Sequence, residues 1–381
     1  MKSSFAGNGG TWKIIILSFA LLISPRITLA QKEPTLKNVF EHDFLVGAAV
    51  NIFQFTGRDS IGAKIVETQF NSVSPENVLK WQSVHPEPGK YNFGPADKYV
   101  SFGEENHMFI IGHTLVWHHQ TPRWVFEGAD GKPLNREELL KRMHDHIQTV
   151  VGRYKGRIKG WDVVNEALNE DGKLRPTPWL KIIGPDYIEK AFEYAHEADP
   201  DAELYYNDYS LENKSKREGA IRIYKELRDK GIPITGIGDQ MHFKLSLFDS
   251  LQVDSTLEDF RNNGIKVMIT ELDIDVLPLP VMKSGADVSL NFRSTEKLNP
   301  YKNGLPDSVK QKLADSYEKL FKIFLKYKDD IGRVTFWGVR NGDSWLNNWP
   351  VPGRTNYPLL FSRSGKPDLA FYKVLKAAGV K

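Results

Sequence analysis

Two stretches of the sequence, which read IKGWDVVNE at residues 158–166 and KVMITE at residues 266–271, share one pattern. Each is a short run of apolar and β-branched residues, which is typical of a buried strand, and each ends in a glutamate. Similar runs recur along the chain. The predicted strands are residues 44–49, 70–73, 108–114, 158–164, 203–207, 235–238, 266–270 and 333–337.

Amphipathic stretches with helical spacing separate these runs, and the clearest are residues 135–152, 186–198, 214–230 and 307–327. Alternation of strands and helices predicts a parallel sheet. An open, doubly wound sheet is the competing arrangement, but no glycine-rich phosphate loop follows the first run, and polar residues follow most strands instead of one switch point. We therefore predict an α/β fold, a single-domain (β/α)8 TIM barrel whose active face is formed by the loops after the strands.

The first thirty residues differ from the rest of the chain. Two lysines precede a largely apolar run at residues 14–23, and small residues follow it. This order is typical of a secretory signal peptide, and the run is shorter than the roughly 20 residues that cross a bilayer. We expect residues 1–30 to be a signal peptide cleaved after about Ala30, residues 31–381 to form the barrel domain, and the mature protein to be secreted or periplasmic.

The composition excludes several classes of function. The chain has no cysteine, so it forms no disulfide, thiolate nucleophile or cysteine-ligated metal site. It has 51 lysines and arginines against 48 acidic residues, and the predicted signal peptide carries three of the basic residues and none of the acidic ones. This balance gives no electrostatic reason to expect nucleic acid or an anionic membrane as a partner.

The glutamates that end the fourth and seventh predicted strands, Glu166 and Glu271, are candidate catalytic residues. In a barrel these two strand ends face each other across the mouth. Cleavage of a glycosidic bond takes one carboxylic acid, which protonates the leaving oxygen, and one carboxylate, which attacks the anomeric carbon or activates water. A single strand-end glutamate is as easily a solvated or salt-bridged residue, but two on opposed strands favour a catalytic pair.

Seven segments carry a family resemblance, and they read ENVLKW (76–81), GHTLVWH (112–118), WDVVNEA (161–167), YNDY (206–209), GIGDQMH (236–242), TELD (270–273) and TFWGV (335–339). They are similar to the motifs of glycoside hydrolase family 10, the endo-β-1,4-xylanases, and the resemblance extends over essentially the whole of residues 31–381. It implies an endo-acting enzyme that cleaves xylan or xylo-oligosaccharides with retained anomeric configuration. We expect the protein to be a monomer.

The resemblance also implies roles for individual residues. Glu166 would be the general acid/base and Glu271 the nucleophile, and Asn165 would contact the sugar 2-hydroxyl. The residues matching the glycone subsites are Glu76, Asn77, Lys80, His113, Trp117, Gln120 and Gln240, and those matching the aromatic walls around the catalytic sugar are Trp337 and Trp345. His242, two residues beyond Gln240, is expected on the same face of its strand and within reach of Glu271.

Three further polar residues, Asn207, Asp208 and Asp273, are expected to support the site. Asp208 and Asp273 either orient catalytic neighbours or merely cap loops. The histidines at 113, 118 and 119 do not show a diagnostic metal-ligand spacing, so we predict neither a metal nor a cofactor.

Two features depart from the expected pattern. Asn341 stands where the family motif Trp-Gly-Val-x-Asp-x-x-Ser-Trp has an acidic residue, and Asp343 is a candidate to compensate. Residues 278–306, rich in Pro, Asn, Ser and Gly, form a long excursion between the seventh strand and its helix, and we interpret them as a flexible rim that shapes one end of the cleft.

The residues leave two alternative functions open. The same site could hydrolyse cellulose or a mixed glucan, because the sequence does not tell whether an exocyclic hydroxymethyl group fits the pocket. The other alternative is a non-catalytic carbohydrate-binding or inhibitor protein that keeps the barrel. That reading predicts loss of one of the two carboxylates, and both are present.

Overall fold

The computed structural model describes residues 1–10, 34–279 and 288–380. The chain divides into two units, Met1–Glu33 and Pro34–Lys381. In the first unit the described residues contain no helix or strand, and most of the predicted signal peptide lies outside them. Within the described ranges no helix is long and apolar enough to cross a membrane.

Parallel strands form the centre of the second unit. In its described part they are Leu45–Val50 (β1), Ser72–Pro75 (β2), Phe109–Val116 (β3), Gly160–Asn165 (β4), Glu203–Asp208 (β5), Gly236–Asp239 (β6), His242–Lys244 (β7), Lys266–Asp275 (β8) and Ile331–Phe336 (β9). β1 pairs with both β2 and β9, and β6 pairs with β8, so that all the strands except the short β7 close into a barrel. The predicted (β/α)8 TIM barrel is confirmed.

One short helix precedes the first strand, and the other described helices follow strands. Among the described residues they are Leu36–Val39 (α1), Ile52–Phe55 (α2), Ser60–Gln69 (α3), Trp81–Val84 (α4), Gly94–Glu105 (α5), Arg136–Arg153 (α6), Pro178–Ile183 (α7), Tyr187–Ala198 (α8), Lys214–Asp229 (α9), Ser250–Asn262 (α10), Asp307–Lys326 (α11) and Leu369–Ala377 (α12), with 3-10 turns at Arg123–Val125, Glu296–Leu298 and Trp345–Asn347. The four predicted helices are α6, α8, α9 and α11. α6 begins after Asn135 because this residue and Glu138 cap each other's backbone N–H groups.

β8 continues beyond the predicted end of the seventh strand, because β7 pairs with its last residues. His242, Phe243 and Lys244 lie opposite Asp273, Ile274 and Asp275. Between β6 and β7 the backbone of Met241 is left-handed, with φ of 55°, and this interrupts the strand. The pattern of apolar residues predicted only β6. In the structure, β7 and the end of β8 also form a short two-stranded extension of the sheet.

The lower interior of the barrel is filled with side chains. Ile111, Tyr205 and Met268, from three different strands, form a buried cluster separate from the main core between the strands and the helices. Gly112 allows Trp161 to pack directly on β3, since a Cβ atom there would lie 2.0 Å from a carbon of the indole ring. Glu166 and Glu271 lie on the carboxyl side of this packed layer, beyond Trp161 on one strand and Met268 on the other.

Candidate active site

A cavity lies at the carboxyl ends of the strands. Its lining brings together both candidate carboxylates and every side chain predicted to contact sugar, and it consists of Glu76, Asn77, Lys80, His113, Trp117, Gln120, Asn165, Glu166, Gln240, His242, Glu271, Val288, Trp337 and Trp345. Val288 is the member that the sequence did not predict. The three predicted supporting residues do not line this cavity, but they contact residues that do.

Glu166 follows β4 with a left-handed backbone, at φ of 57°. Successive side chains of a strand point to opposite faces, so Asn165 and Glu166 could not both face the cavity if the strand simply continued. The left-handed residue turns the chain, and both side chains line the cavity. This backbone conformation is strained for a residue other than glycine, and such strain is concentrated at functional sites.

The carboxyl group of Glu166 is buried and accepts hydrogen bonds at both oxygens. The Trp117 indole N–H donates to Oε2 over 2.8 Å, and the Gln240 amide donates to Oε1 over 3.2 Å. Burial, together with the charges of Asp208 and Glu271, raises the pKa of Glu166 to about 7 against these two donors. Glu166 is therefore protonated in a substantial fraction of molecules near neutral pH.

The carboxyl group of Glu271 is also buried, but it is held in the ionised form. The His242 imidazole Nε2 lies 3.2 Å from Oε2, and the Asn207 amide donates to Oε1 over 2.9 Å. Burial favours the neutral acid, yet the hydrogen bond from His242, the nearby imidazole of His113 and the Asn207 amide outweigh it and lower the pKa of Glu271. The two carboxyl groups thus have opposite protonation preferences.

His242 is fixed by Asp273. The imidazole Nδ1 lies 2.9 Å from Oδ1 of Asp273, whose other oxygen accepts a 2.8 Å hydrogen bond from the Trp345 indole. Burial alone would lower the pKa of His242. The charge of Asp273 and the hydrogen bonds that the imidazole makes to Asp273 and Glu271 raise this pKa to about 10. His242 is therefore an imidazolium that donates from both nitrogens. Of the two roles considered for Asp273, the geometry matches the orienting one.

Amide side chains connect the two carboxyl groups. Asn207 Nδ2 donates to Asn165 Oδ1 over 2.9 Å as well as to Glu271, and Gln240 Nε2 lies 3.3 Å from the same oxygen of Asn165 while it donates to Glu166. The Thr270 hydroxyl donates to Asn207 Oδ1 over 2.7 Å and so fixes the orientation of that amide. This chain of bonds holds both carboxyl groups in place relative to each other before substrate binds.

Asp208 lies behind Glu166, fully buried. It accepts hydrogen bonds from the Tyr206 hydroxyl and the Tyr209 backbone N–H, and it forms a 3.0 Å ion pair with Lys216. Asp208 therefore stabilises the loop after β5 through its hydrogen bonds, and its charge is one cause of the raised pKa of Glu166.

The remaining polar residues form one side of the cavity around Lys80. Its ammonium group donates to Gln120 Oε1 over 2.9 Å and to Asn77 Oδ1 over 3.2 Å, and it lies 5.1 Å from the centre of the Trp117 ring. Burial raises the pKa of Glu76 to about 7 in spite of the nearby Lys80. Amides, an ammonium group and a carboxyl group in this arrangement are suited to the hydroxyl groups of a sugar.

Several residues that contact the site were not predicted. Asp162 holds His113 through a 2.9 Å contact between Oδ2 and Nδ1, and its position four residues before Glu166 on the same strand was a usable signal. Arg175 donates to the Glu166 backbone carbonyl over 3.2 Å, but it belongs to a loop whose sequence predicts no such contact. Within residues 34–279 and 288–380 no group of three or more acidic, histidine or cysteine residues is arranged to hold a metal ion.

Val288 belongs to the excursion at residues 278–306, of which residues 280–287 lie outside the described part. The rest of the excursion is tied to the segment after β9. The Phe292 N–H donates to the Pro350 carbonyl over 2.8 Å, and Asn299 Oδ1 accepts from the Thr355 N–H over 3.0 Å. The described part of the rim therefore packs on the body of the protein, and through Val288 it contributes to the cavity wall.

A closed barrel whose mouth holds one carboxyl group of raised pKa and one of lowered pKa, among side chains suited to sugar hydroxyls and sugar faces, defines a glycoside hydrolase. Comparison with protein families identifies which one. The model of glycosyl hydrolase family 10 matches residues 35–377. The chain belongs to glycosyl hydrolase family 10.

Individual relatives agree with this membership. The chain is 44% identical over 364 residues to endo-1,4-beta-xylanase A of Xylanibacter ruminicola, with 96% of this chain and 99% of that protein covered. It is 40% identical over 368 residues to a beta-1,4-xylanase of Dictyoglomus thermophilum, covering 95% of this chain and 96% of that protein. Its fold matches a solved GH10 endoxylanase from a sugarcane soil metagenome with a TM-score of 0.87 and 43% identity, over 90% of this chain and 99% of the other.

Proposed function

We propose that this protein is an endo-1,4-β-xylanase that hydrolyses internal bonds of xylan with retention of anomeric configuration. The observation that carries the mechanism is the opposite protonation preference of Glu166 and Glu271 in one cavity. The names of the similar proteins, endo-1,4-beta-xylanase A and beta-1,4-xylanase, support the substrate.

In the first step the ionised Glu271 attacks the anomeric carbon. A bond forms between a Glu271 oxygen and that carbon while the glycosidic C–O bond breaks, and Glu166 gives its proton to the departing oxygen. His242, as an imidazolium, keeps Glu271 ionised until the attack. The products are a glycosyl ester on Glu271 and a shortened xylan chain.

In the second step water hydrolyses this ester. Esterification removes the negative charge of Glu271, which is one of the causes that raise the pKa of Glu166, so Glu166 more readily stays ionised and accepts a proton from water. The water oxygen bonds to the anomeric carbon as the bond to Glu271 breaks. Two inversions at one carbon give net retention.

The other cavity residues bind the sugar in this proposal. The Asn165 amide contacts the 2-hydroxyl, an interaction that strengthens as positive charge develops at the transition state. The indole rings of Trp337 and Trp345 pack on the C–H faces of the catalytic sugar. The polar groups around Lys80 bind hydroxyls on the glycone side, where Glu76 and Gln120 supply both donors and acceptors.

The proposal includes export and a monomeric state. The basic and apolar pattern of residues 1–30 supports a cleaved signal peptide, which leaves residues 31–381 as the catalytic domain and directs it to the periplasm or outside the cell. A polymeric substrate that cannot enter a cell requires such a location.

Xylan is expected to be hydrolysed at least about ten-fold faster than carboxymethyl cellulose, because the proposed function requires a pocket that accepts a five-carbon sugar and excludes an exocyclic hydroxymethyl group. The measurement is release of reducing sugar from each polymer, with a Glu271→Gln preparation as the control for contaminating enzymes. Mixed oligosaccharides that appear before free xylose would establish endo-cleavage. Faster hydrolysis of carboxymethyl cellulose would assign a glucanase instead, and release from neither polymer would refute both enzymatic functions.

The pH dependence of kcat/KM on xylohexaose is expected to be bell-shaped. Glu271 has to be ionised, so activity is lost as pH falls through its lowered pKa, below the ordinary 4.5. Glu166 has to be protonated, so activity is lost as pH rises through about 7. In Glu166→Gln the alkaline limb should disappear from the residual activity. Glu76 also has a pKa of about 7, and Glu76→Gln is the control: an alkaline limb abolished by this variant would reassign the limb to Glu76.

A further inference from the structure

The segment that carries the two cavity tryptophans after β9, residues 337–345, is here called the tryptophan loop. Trp337 and Trp345 line the cavity, whereas Asn341, midway between them, lies outside it and is almost fully buried. Asn341 lines a second cavity, together with Asp368 and Lys310. It is also the position at which this chain departs from the acidic residue of the family motif.

Asn341 joins the tryptophan loop to residues 359–368, here called the C-terminal hairpin. Its backbone N–H donates to the Phe361 carbonyl over 2.9 Å, and its side-chain Oδ1 accepts from the Leu359 N–H over 2.8 Å. Its side-chain Nδ2 donates to Asp368 Oδ2 over 3.0 Å. Asn341 therefore makes three bonds to one hairpin, and its side chain needs both an acceptor and a donor to make two of them.

Asn347, two residues beyond the end of the tryptophan loop, helps to connect Asn341 to the catalytic site. The Asn347 amide donates to the Asn341 carbonyl over 2.8 Å and to the Ser344 carbonyl over 2.9 Å. Next to Ser344, the Trp345 indole donates to Asp273, which holds His242 against Glu271. Four hydrogen bonds and one peptide link therefore connect Asn341 with His242, the partner of Glu271.

Asp343 does not take over these bonds. Its carboxylate is engaged by the Arg340 guanidinium, with 3.0 Å between Oδ2 and Nε, and Arg340 also contacts Asp59. The interior of the loop is held by Asn341 itself. The expectation that Asp343 compensates for the missing acid therefore does not match the hydrogen bonding of this loop.

We propose that Asn341 and Asp368 form an amide–carboxylate pair that positions the tryptophan loop, and that Asn341 is a positioning residue for substrate binding. The activity part of this inference rests on the proposed function. An aspartate at position 341 could still accept from the Leu359 N–H, but its second oxygen would face the Asp368 carboxylate at about 3 Å. Two carboxylates at this distance share a proton at low pH and repel each other once both ionise.

The surroundings of the pair make such repulsion consequential. Asp368 is partly buried at the N-cap position of α12, and burial raises its pKa while the Asn341 amide and the charge of Lys310 oppose that rise. The other cation lining this cavity, Arg363, is engaged by the Asn356 carbonyl and Asn347 Oδ1. Lys310, on α11, also forms a 3.1 Å pair with Asp307. Both cations that line the cavity thus already have other partners, so neither is free to neutralise an added carboxylate at position 341.

Four variants test the pair: Asn341→Asp, Asp368→Asn, the double variant Asn341→Asp/Asp368→Asn, and Asn348→Asp. The double variant exchanges the two groups, so that Asn at 368 donates to Asp at 341, which still accepts from the Leu359 N–H. Asp368→Asn keeps an oxygen that accepts from Asn341, and it removes no capping bond, since the Asp368 side chain makes none to the first turn of α12. Asn348→Asp is the matched control, since it adds the same charge at an exposed position of the neighbouring turn.

Asn341→Asp is expected to raise KM for xylohexaose on the order of ten-fold at pH 8, with a smaller change in kcat. The rise should fade toward pH 5, where one proton is shared between the two carboxylates. Asp368→Asn and the control should stay within about two-fold of the wild type, and the double variant should return close to it. If Asn341→Asp is unfolded at pH 8, the double variant and measurements at pH 5 still provide the comparison.

Two outcomes overturn the inference: Asn341→Asp with wild-type KM at pH 8, or a double variant as impaired as Asn341→Asp alone. The first would mean that the pair does not position the loop, and the second that any charge at position 341 is harmful regardless of Asp368. A wild-type protein that hydrolyses neither xylan nor carboxymethyl cellulose would refute the proposed function instead. Quenching of tryptophan fluorescence by xylotriose would then still measure substrate binding in all four variants.

Discussion

Replacement of Glu271 by alanine is expected to lower kcat on xylan by at least about 10⁴-fold, because it removes the atom that bonds to the anomeric carbon. The loss should leave the fold intact. The donors around Glu271 outweigh the cost of burying its charge and lower its pKa, so its removal should cost some stability at neutral pH. The amide network of Asn207, Asn165 and Gln240 keeps its internal bonds. Circular dichroism and thermal unfolding check this point.

Azide identifies what the lost carboxylate did. In Glu271→Ala the cavity left by the side chain admits a small anion, which attacks the anomeric carbon of an aryl β-xylobioside from the side that Glu271 occupied. One displacement inverts the carbon, so the expected product is the α-xylobiosyl azide. Proton NMR of the product distinguishes the two anomers. A rescued product of retained configuration would contradict the assignment of Glu271 as the nucleophile.

Replacement of Glu166 by alanine is expected to give a different defect. Hydrolysis of xylan, whose leaving group is a sugar alcohol, should fall by about 10²–10⁴-fold through loss of the proton donor. An acidic phenol departs from an aryl xylobioside as the phenolate and does not need that proton. The glycosyl-enzyme should therefore form at nearly the normal rate and then accumulate. A burst of phenol release with a lowered KM is the expected kinetic signature, measured by stopped-flow absorbance.

The Glu166 and Glu271 variants serve as controls for each other. In Glu166→Ala azide attacks the glycosyl-enzyme that Glu271 has already formed, so the carbon is inverted twice and the product should be the β-azide. Opposite anomers from the two variants would assign both roles in one experiment. If both variants gave the same anomer, the reaction would not proceed by double displacement through Glu271.

Much of the fold was predictable because it depends on local pattern. Apolar and β-branched runs that end in polar residues gave all eight barrel strands, and helical spacing gave α6, α8, α9 and α11. The strand-end position of Glu166 and Glu271 followed from the same pattern, since parallel strands bring their carboxyl ends to one face. The predicted sugar contacts came from the family resemblance, and the structure brings all of them to one cavity.

The protonation preferences of the two glutamates could not be predicted from residue types alone. They arise from groups distant in sequence, such as Trp117 and Asp208 around Glu166 and Asn207 and His242 around Glu271, whose hydrogen bonds and burial exist only in the folded barrel. Local pattern likewise did not predict the left-handed backbone at Glu166, which turns two successive side chains into one cavity.

The sequence therefore determines where the barrel strands run and which polar side chains stand at their ends, because periodicity and residue type act over a few neighbouring positions. The chemistry of Glu166 and Glu271, the short strand at His242–Lys244 and the anchoring of Asn341 by the C-terminal hairpin depend on tertiary contacts between segments 18 or more residues apart. The charges, burial and hydrogen bonds that set the pKa values of the two glutamates and the position of Asn341 arise from those contacts, so they exist only in the folded chain.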